Sequence, residues 1–323
     1  MNPLKKSLFR VTGIVFCSAL AACGGSNTPS TASTASTTPS ASPTTLSASA
    51  STLVLSVNDI GTNAALTGTA RTLTFTNTGS AAVVDFEVAV TPALPNDAQT
   101  STTCGSTIAV GSSCTFTITP GATPTAGVGD ASARPLVLAA SGSNATAVNV
   151  AVSILGYGSV YQGGYVYSID DTPAAAASAG GVVFEMTNAT SSPAVWSAAL
   201  TTTNASSTTN GQSNTTAIIN VLGSTAASAA ETCAQVTDGD VTSWYLPAIQ
   251  ELVGGTQSAF PTLGAVGLLT DTENAEFWSS TEDAANTIQE VDGVLVLSSP
   301  ATATETDGYF KGSSLSLRCA HAF

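Results

Sequence analysis

The chain has 323 residues, of which 43% are hydrophobic and only 9% charged. That apolar fraction suffices for two ordinary cores, so two domains are expected. A net charge of −14 excludes a surface that gathers nucleic acid, anionic lipid or sulfated polysaccharide by long-range attraction.

Lys5, Lys6 and Arg10 precede an apolar run from Val11 to Leu20, which is too short to span a bilayer as a mature helix. The run ends Leu20-Ala21-Ala22-Cys23-Gly24-Gly25. Small residues before a cysteine at this place resemble the bacterial lipoprotein cleavage box. The resemblance implies removal of residues 1–22, acylation (palmitate) of Cys23, and a membrane partner through the lipid anchor. Gly24 favours outer-membrane delivery, facing the periplasm or the cell surface. An ordinary secretory signal with an incidental cysteine is the alternative. Removal takes three of seven cations and no acidic residue, leaving Arg71, Arg134, Lys311 and Arg318 against 21 carboxylates, a net charge of −17. Residues 23–50 are dominated by Ser, Thr, Ala and Pro, with no charge at all. They have little apolar surface to offset chain entropy and read as a flexible tether.

From residue 51 the pattern has period two. Leu53, Leu55 and Val57 share a face, as do Leu73 and Phe75, then Val84, Phe86, Val88 and Val90. Phe116 and Ile118, Leu136 and Leu138, and Val148 to Ile154 follow, with turns at Asn77-Thr78-Gly79 and Pro120-Gly121. About seven short strands over residues 51–155 predict an all-β sandwich. The stretch from Cys104 to Cys114, continuing Thr-Phe-Thr-Ile, resembles a hairpin of immunoglobulin-like domains of the abnormal-spindle/hydin type.

Residues 156–323 are organised around three phrases. In Trp244-Tyr-Leu-Pro-Ala-Ile-Gln-Glu-Leu252 the proline marks a strand-to-helix junction and the first helical position. Ile249, Leu252 and Val253 then recur at helical spacing until Gly254-Gly255. Phe277-Trp-Ser-Ser-Thr-Glu282 reads as a strand with its aromatics on opposite faces. Leu315, Leu317 and Cys319 alternate with Ser316 and Arg318, which predicts a half-buried strand.

These phrases, with Asn214-Thr215-Thr216-Ala217-Ile218, Ala229-Ala230-Glu231-Thr232-Cys233 and an opening strand at Tyr157–Tyr165, resemble the C-terminal domain family of the Legionella collagen-like adhesin (Lcl), a domain of largely unknown function. The family is similar to the C-type-lectin-like fold. The resemblance therefore implies an α+β, lectin-like second domain. The chain departs from the family at Ala320-His321, where a second arginine is usual, and it has no collagen-like stalk. Four scattered cations argue against transfer of the adhesin's glycosaminoglycan binding.

Cys17 leaves with the signal. Of the rest, Cys104 is paired with Cys114 inside one hairpin and Cys233 with Cys319 inside the second domain, the other pairings remaining formally open. Ala226, Ala229, Ala230 and Cys233 place Cys233 on the buried face of a helix. A serine hydrolase would need His321, the only histidine, and no Gly-x-Ser-x-Gly elbow exists. No catalytic residue is assigned, and no cofactor or metal beyond calcium. Asp238 and Asp240 are the candidate calcium ligands, and with Trp278 and Glu282 they form the candidate ligand-binding set. Trp244, Trp278, Tyr245 and Phe277 fit either a sugar-stacking platform or a packed core. Residues 172–230, poor in large apolar groups, are expected to form long binding loops. The reading is a non-catalytic binding or adhesive protein with a glycan or protein ligand. A structural envelope spacer is the alternative, and an enzyme of unknown type ranks below both.

Overall fold

The computed structural model of the chain describes residues 42–58, 60, 68–171, 178–186, 194–224, 227–255, 257–296 and 298–323. Cys23, residues 1–22 and most of the expected tether lie outside them, as do parts of the 172–230 stretch.

The described residues are predominantly β. The N-terminal module holds β1 (Leu46–Ala48), β2 (Thr52–Ser56), β3 (Arg71–Asn77), β4 (Val83–Val84) and β5 (Glu87–Thr91). It continues with β6 (Gln99–Thr102), β7 (Thr107–Ile108), β8 (Ser113–Thr119), β9 (Leu136–Gly142) and β10 (Ala145–Leu155). Two four-stranded sheets form, in the orders β1-β3-β8-β6 and β2-β10-β9-β5. Alternate residues from both, among them Leu53, Leu55, Leu73, Phe75, Ile118, Leu138 and Val152, close on one core.

Two expectations shift here. The last residues of the stretch read as tether are part of the sandwich, because β1 pairs antiparallel with β3 from Leu46↔Asn77 to Ala48↔Phe75. The alternation at 84–90 is not one strand. Asp85 takes a left-handed φ of 52°, which ends β4 before β5 begins, and Val83 rather than Val84 is buried.

The C-terminal module contains β11 (Val160–Tyr161), β12 (Gly164–Asp170), β13 (Gly180–Glu185), β14 (Ala194–Val195), α1 (Gly211–Leu222), α2 (Ala229–Ala234), α3 (Ile249–Val253) and α4 (Ala259–Ala265). It ends with β15 (Ala275–Glu282), β16 (Glu290–Val296), β17 (Thr304–Phe310), β18 (Ser314–Leu315) and β19 (Ala320–Ala322). Sheets run β11-β12-β13-β19, β14-β18 and β15-β16-β17. Neighbouring residues feed two separate cores. Val166, Val183, Trp278 and Cys319 enter one, while Tyr167, Phe184, Phe277 and Ala320 enter the other. The period-two reading of Phe277-Trp278 thus describes a strand walled by apolar groups on both faces.

The opening stretch Tyr157–Tyr165 is a hairpin rather than one strand, with Gln162-Gly163 at its tip (φ 44° and 84°). Pro247 precedes the helix start, since Ala248 is the N-cap of α3. The long-loop reading of 172–230 is corrected by β13, β14 and α1, which lie inside it, and by α2, which begins at its end. The end of the chain is also corrected: Arg318, placed on the polar side by the alternation, is 1% exposed.

The two modules share structure. Val54 of β2 and Leu155 of β10 sit in the first C-terminal core. Arg71 of β3 pairs with Asp171 at 2.8 Å, and Val54 exchanges backbone bonds with Ser178 Oγ and the N–H of Ala179.

Candidate functional site

The motif residues of the C-terminal module turn out to be builders. Asn214, Thr215 and Ile218 form the buried face of α1. The Asn214 amide spans both backbone groups of Ser207, and Thr215 Oγ1 accepts from the N–H of Leu246 at 2.9 Å. Glu251 Oε2 accepts from the N–H groups of Ala248 and Gly211, each at 2.8 Å, while Oε1 accepts from Tyr245 Oη at 2.9 Å. One carboxylate therefore caps the starts of two helices. Burial pushes the Glu251 carboxyl up, opposed by those bonds. Cys233–Cys319 joins α2 to the segment before β19, and Cys104–Cys114 closes the hairpin of β8, as expected.

Trp278 and Glu282 leave the ligand-binding set. Trp278 is 1% exposed and its Nε1 donates to the Ala194 carbonyl. Trp196 and Trp244 are buried too, each bonded to a backbone carbonyl, so no indole face is open for a sugar. Tyr245 and Phe277 are buried as well. Glu282 accepts from Lys311 Nζ at 2.5 Å with both side chains fully enclosed, and Lys311 also donates to the carbonyls of Thr201 and Thr287. The Lys311 ammonium lies 4.7 Å over the Trp196 ring. Arg318 is held by Asp271 and the carbonyls of Glu185 and Met186.

Asp238 and Asp240 remain exposed on a short 3-10 turn, Asp238–Asp240. Gly239 in this turn packs so closely on the hairpin tip that a Cβ there would lie 2.1 Å from the Gln162 carbonyl carbon. A Cβ on Gly163 would in turn meet Asp238 at 2.6 Å. Two left-handed turns thus interlock backbone to backbone, which only glycine permits. Among the described residues no group of three or more His, Cys, Asp or Glu side chains is placed to hold a metal ion.

Beside this contact opens a cleft of about 480 Å³ between the modules. Its walls are the loop carrying Arg134, the end of β10 at Ser153, Tyr161 and Gln162 of the hairpin, and Asp240. Sequence reasoning reached Asp240 but missed Arg134 and Gln162, because no local pattern joins residue 134 to residue 162. Behind Gln162 stands His321. Gln162 Oε1 lies 3.0 Å from Nε2 and Ser243 Oγ 2.9 Å from Nδ1. With the amide oxygen as acceptor, Nε2 carries the proton and Nδ1 accepts from the serine. Burial lowers the His321 pKa, against the smaller raising effect of the Ser243 contact. The ring's second partner is a neutral amide rather than a carboxylate, so the trio orients Gln162 and provides no buried anion to stabilise an imidazolium.

Among the described residues no helix is long and apolar enough to cross a membrane. No family model matches the chain, and no curated protein does. Among solved structures, the secreted serine protease VesC from Vibrio cholerae is matched at 11% identity with a TM-score of 0.23, over 84% of this chain and 46% of that one. The chain thus spans less than half of that protein, and a likeness at this score carries no inference about fold or activity.

Proposed function

We propose that the chain is a non-catalytic lipoprotein, acylated at Cys23 and carried by the outer membrane, with a binding or adhesive role toward a glycan or protein ligand. In this reading the N-terminal module is an immunoglobulin-like sandwich and the C-terminal one a lectin-like α+β domain of the Lcl type. The two sheets around one core and the ordered run of family phrases support it. One observation carries the functional step: the cleft between the modules brings together the exposed Arg134 and Asp240 and the half-buried Gln162, while every tryptophan is consumed in packing. The shared core of the two modules favours a second reading, a rigid envelope spacer.

A glycan-array assay on the chain from Gly24, with and without calcium, tests this. Selective binding lost on Asp240→Ala is the expected result. Silence across the array, sulfated glycans included, would transfer the assignment to the spacer. Strong heparin binding would overturn the charge argument, and calcium-dependent binding lost on Asp238→Ala would restore the calcium reading.

A further inference from the structure

Beyond residue 10 the chain has four cations, and three are withdrawn from solvent. Arg71, Lys311 and Arg318 are 4%, 0% and 1% exposed and are paired with Asp171, Glu282 and Asp271. Arg134 alone is exposed, and it lines the cleft. Among the described residues no salt bridge engages it.

The guanidinium is fixed in place. Its Nη1 donates to the carbonyls of Ala131, Ser132 and Ala133 at 3.4, 3.2 and 2.8 Å. The turn beneath is held by Asp130 Oδ1, which accepts from the N–H and hydroxyl of Ser132, and Gly129 is fastened to the other module through the Gly158 carbonyl. One nitrogen is thus spent on the loop, which positions the rest of the planar fork at little further entropic cost on binding. Gln162 is fixed likewise. Its Oε1 is engaged by His321, so its NH2 group is the part free to donate. Asp240 supplies an acceptor, and Tyr161, whose ring stands edge-on to Phe323 with centroids 4.9 Å apart, supplies a half-buried apolar surface.

From this juxtaposition we propose that the cleft binds a saccharide bearing a single carboxylate, with the carboxylate on Arg134 and neighbouring hydroxyls on Gln162 and Asp240. The inference rests on the binding role proposed above and names its ligand class. A guanidinium matches a carboxylate with two parallel hydrogen bonds, and Asp240 requires hydroxyl donors rather than a second anion. The acidic surface sets the upper limit on charge. A sulfated chain meets repulsion along its length, whereas one carboxylate meets it once and gains a direct contact.

The test is an array of oligosaccharides ending in a uronic or sialic acid, their carboxyl-reduced counterparts and neutral glycans, probed with the whole chain from Gly24. Acid-terminated ligands are expected to bind, with about tenfold loss or more on carboxyl reduction, as for removal of a charge-assisted hydrogen bond. Arg134→Gln should abolish the difference between the two forms, and Arg134→Lys should keep part of it. Gln162→Ala, which leaves the Arg134 loop intact, should weaken both forms, and thermal melting of each variant confirms folding. Equal binding of acid and reduced forms, or no response to Arg134→Gln, would overturn the ligand class while leaving the binding role standing. Binding to none of the glycans would remove the ligand class and the glycan branch of the binding role together.

Discussion

Lys311 and Glu282 form an ion pair that no solvent reaches: Nζ stands 2.5 Å from Oε1, and both side chains are 0% exposed. Two main-chain carbonyls and the Trp196 ring complete the shell of the ammonium, and the N–H of Thr203 bonds the same carboxylate oxygen. Glu282 Oε2 is enclosed without a hydrogen-bond partner. Removing one charge strands the other. Lys311→Met and Glu282→Gln should each cost about 3–5 kcal/mol, whereas the double change Lys311→Met with Glu282→Leu should recover a large part of that loss. Urea titration of the three variants decides, and additive losses would show that the pair is not coupled.

Glu251 holds α3 and α1 together through their first N–H groups, with the Tyr245 hydroxyl as a third donor. Glu251→Ala orphans all three donors and should cost about 2–4 kcal/mol. Glu251→Gln keeps an acceptor in place and should cost about half as much. A melting curve for each variant checks this, and equal loss in both would mean that charge rather than hydrogen bonding is what matters.

Two buried groups set opposite slopes of stability with pH. Burial, helped by the charge of Asp238, pushes the Glu185 carboxyl up to about 7, against the opposing Cys319 N–H and Arg318. The folded chain then keeps a proton that the unfolded chain releases, so stability falls as pH rises from about 4.5 through 7, by about 3 kcal/mol. His321 is held below its ordinary value by burial, so the unfolded chain takes its proton first and stability falls as pH drops below 6.5. Glu185→Gln should raise the melting temperature at pH 8 and leave it almost unchanged at pH 4.5. A lower melting temperature at pH 8 would refute the assignment.

The two disulfides span 10 and 86 residues. On the chain-entropy account the longer loop contributes about 2 kcal/mol more. Replacing both Cys233 and Cys319 by alanine should therefore lower the melting temperature further than the same change at Cys104 and Cys114. The reverse order would point to native-state contacts around the shorter loop.

Strands β2, β3, β8, β9 and β10 were legible because one face of each is apolar, and Leu53, Leu73 and Leu138 all reach the core as the alternation predicts, whereas β6, Gln-Thr-Ser-Thr with every residue exposed, carries no such pattern. The burial of Cys233 was legible for a similar reason, since Ala229, Ala230 and Cys233 share one face of α2, while Ala226 lies outside the described residues and the choice of Cys319 as its partner was not fixed by that face. Helix α1 was not legible. Its inward face is Gly211, Asn214, Thr215 and Ile218, largely polar and satisfied by hydrogen bonds that no hydrophobic pattern records. The burial of Lys311 and Arg318 escaped for the same physical reason. Their partners Glu282 and Asp271 lie 29 and 47 residues away, and a charge reads as exposed until its partner is known. In the cleft, Asp240 could be named from its turn, but Arg134 could not, because the loop that carries it belongs to the other module.

Strand β2 lies beside β10 in parallel, from Thr52↔Ala151 to Ser56↔Leu155. The leading end of β2 and the trailing end of β10 therefore sit at opposite ends of one ladder. Traction between the N-terminal end of the chain and the C-terminal module would slide the two strands lengthwise, loading every rung at once instead of peeling them singly. Once short β1 has been stripped, this ladder is the mechanical clamp of the molecule. In single-molecule pulling from residue 42 to residue 323, its rupture should be the largest force peak.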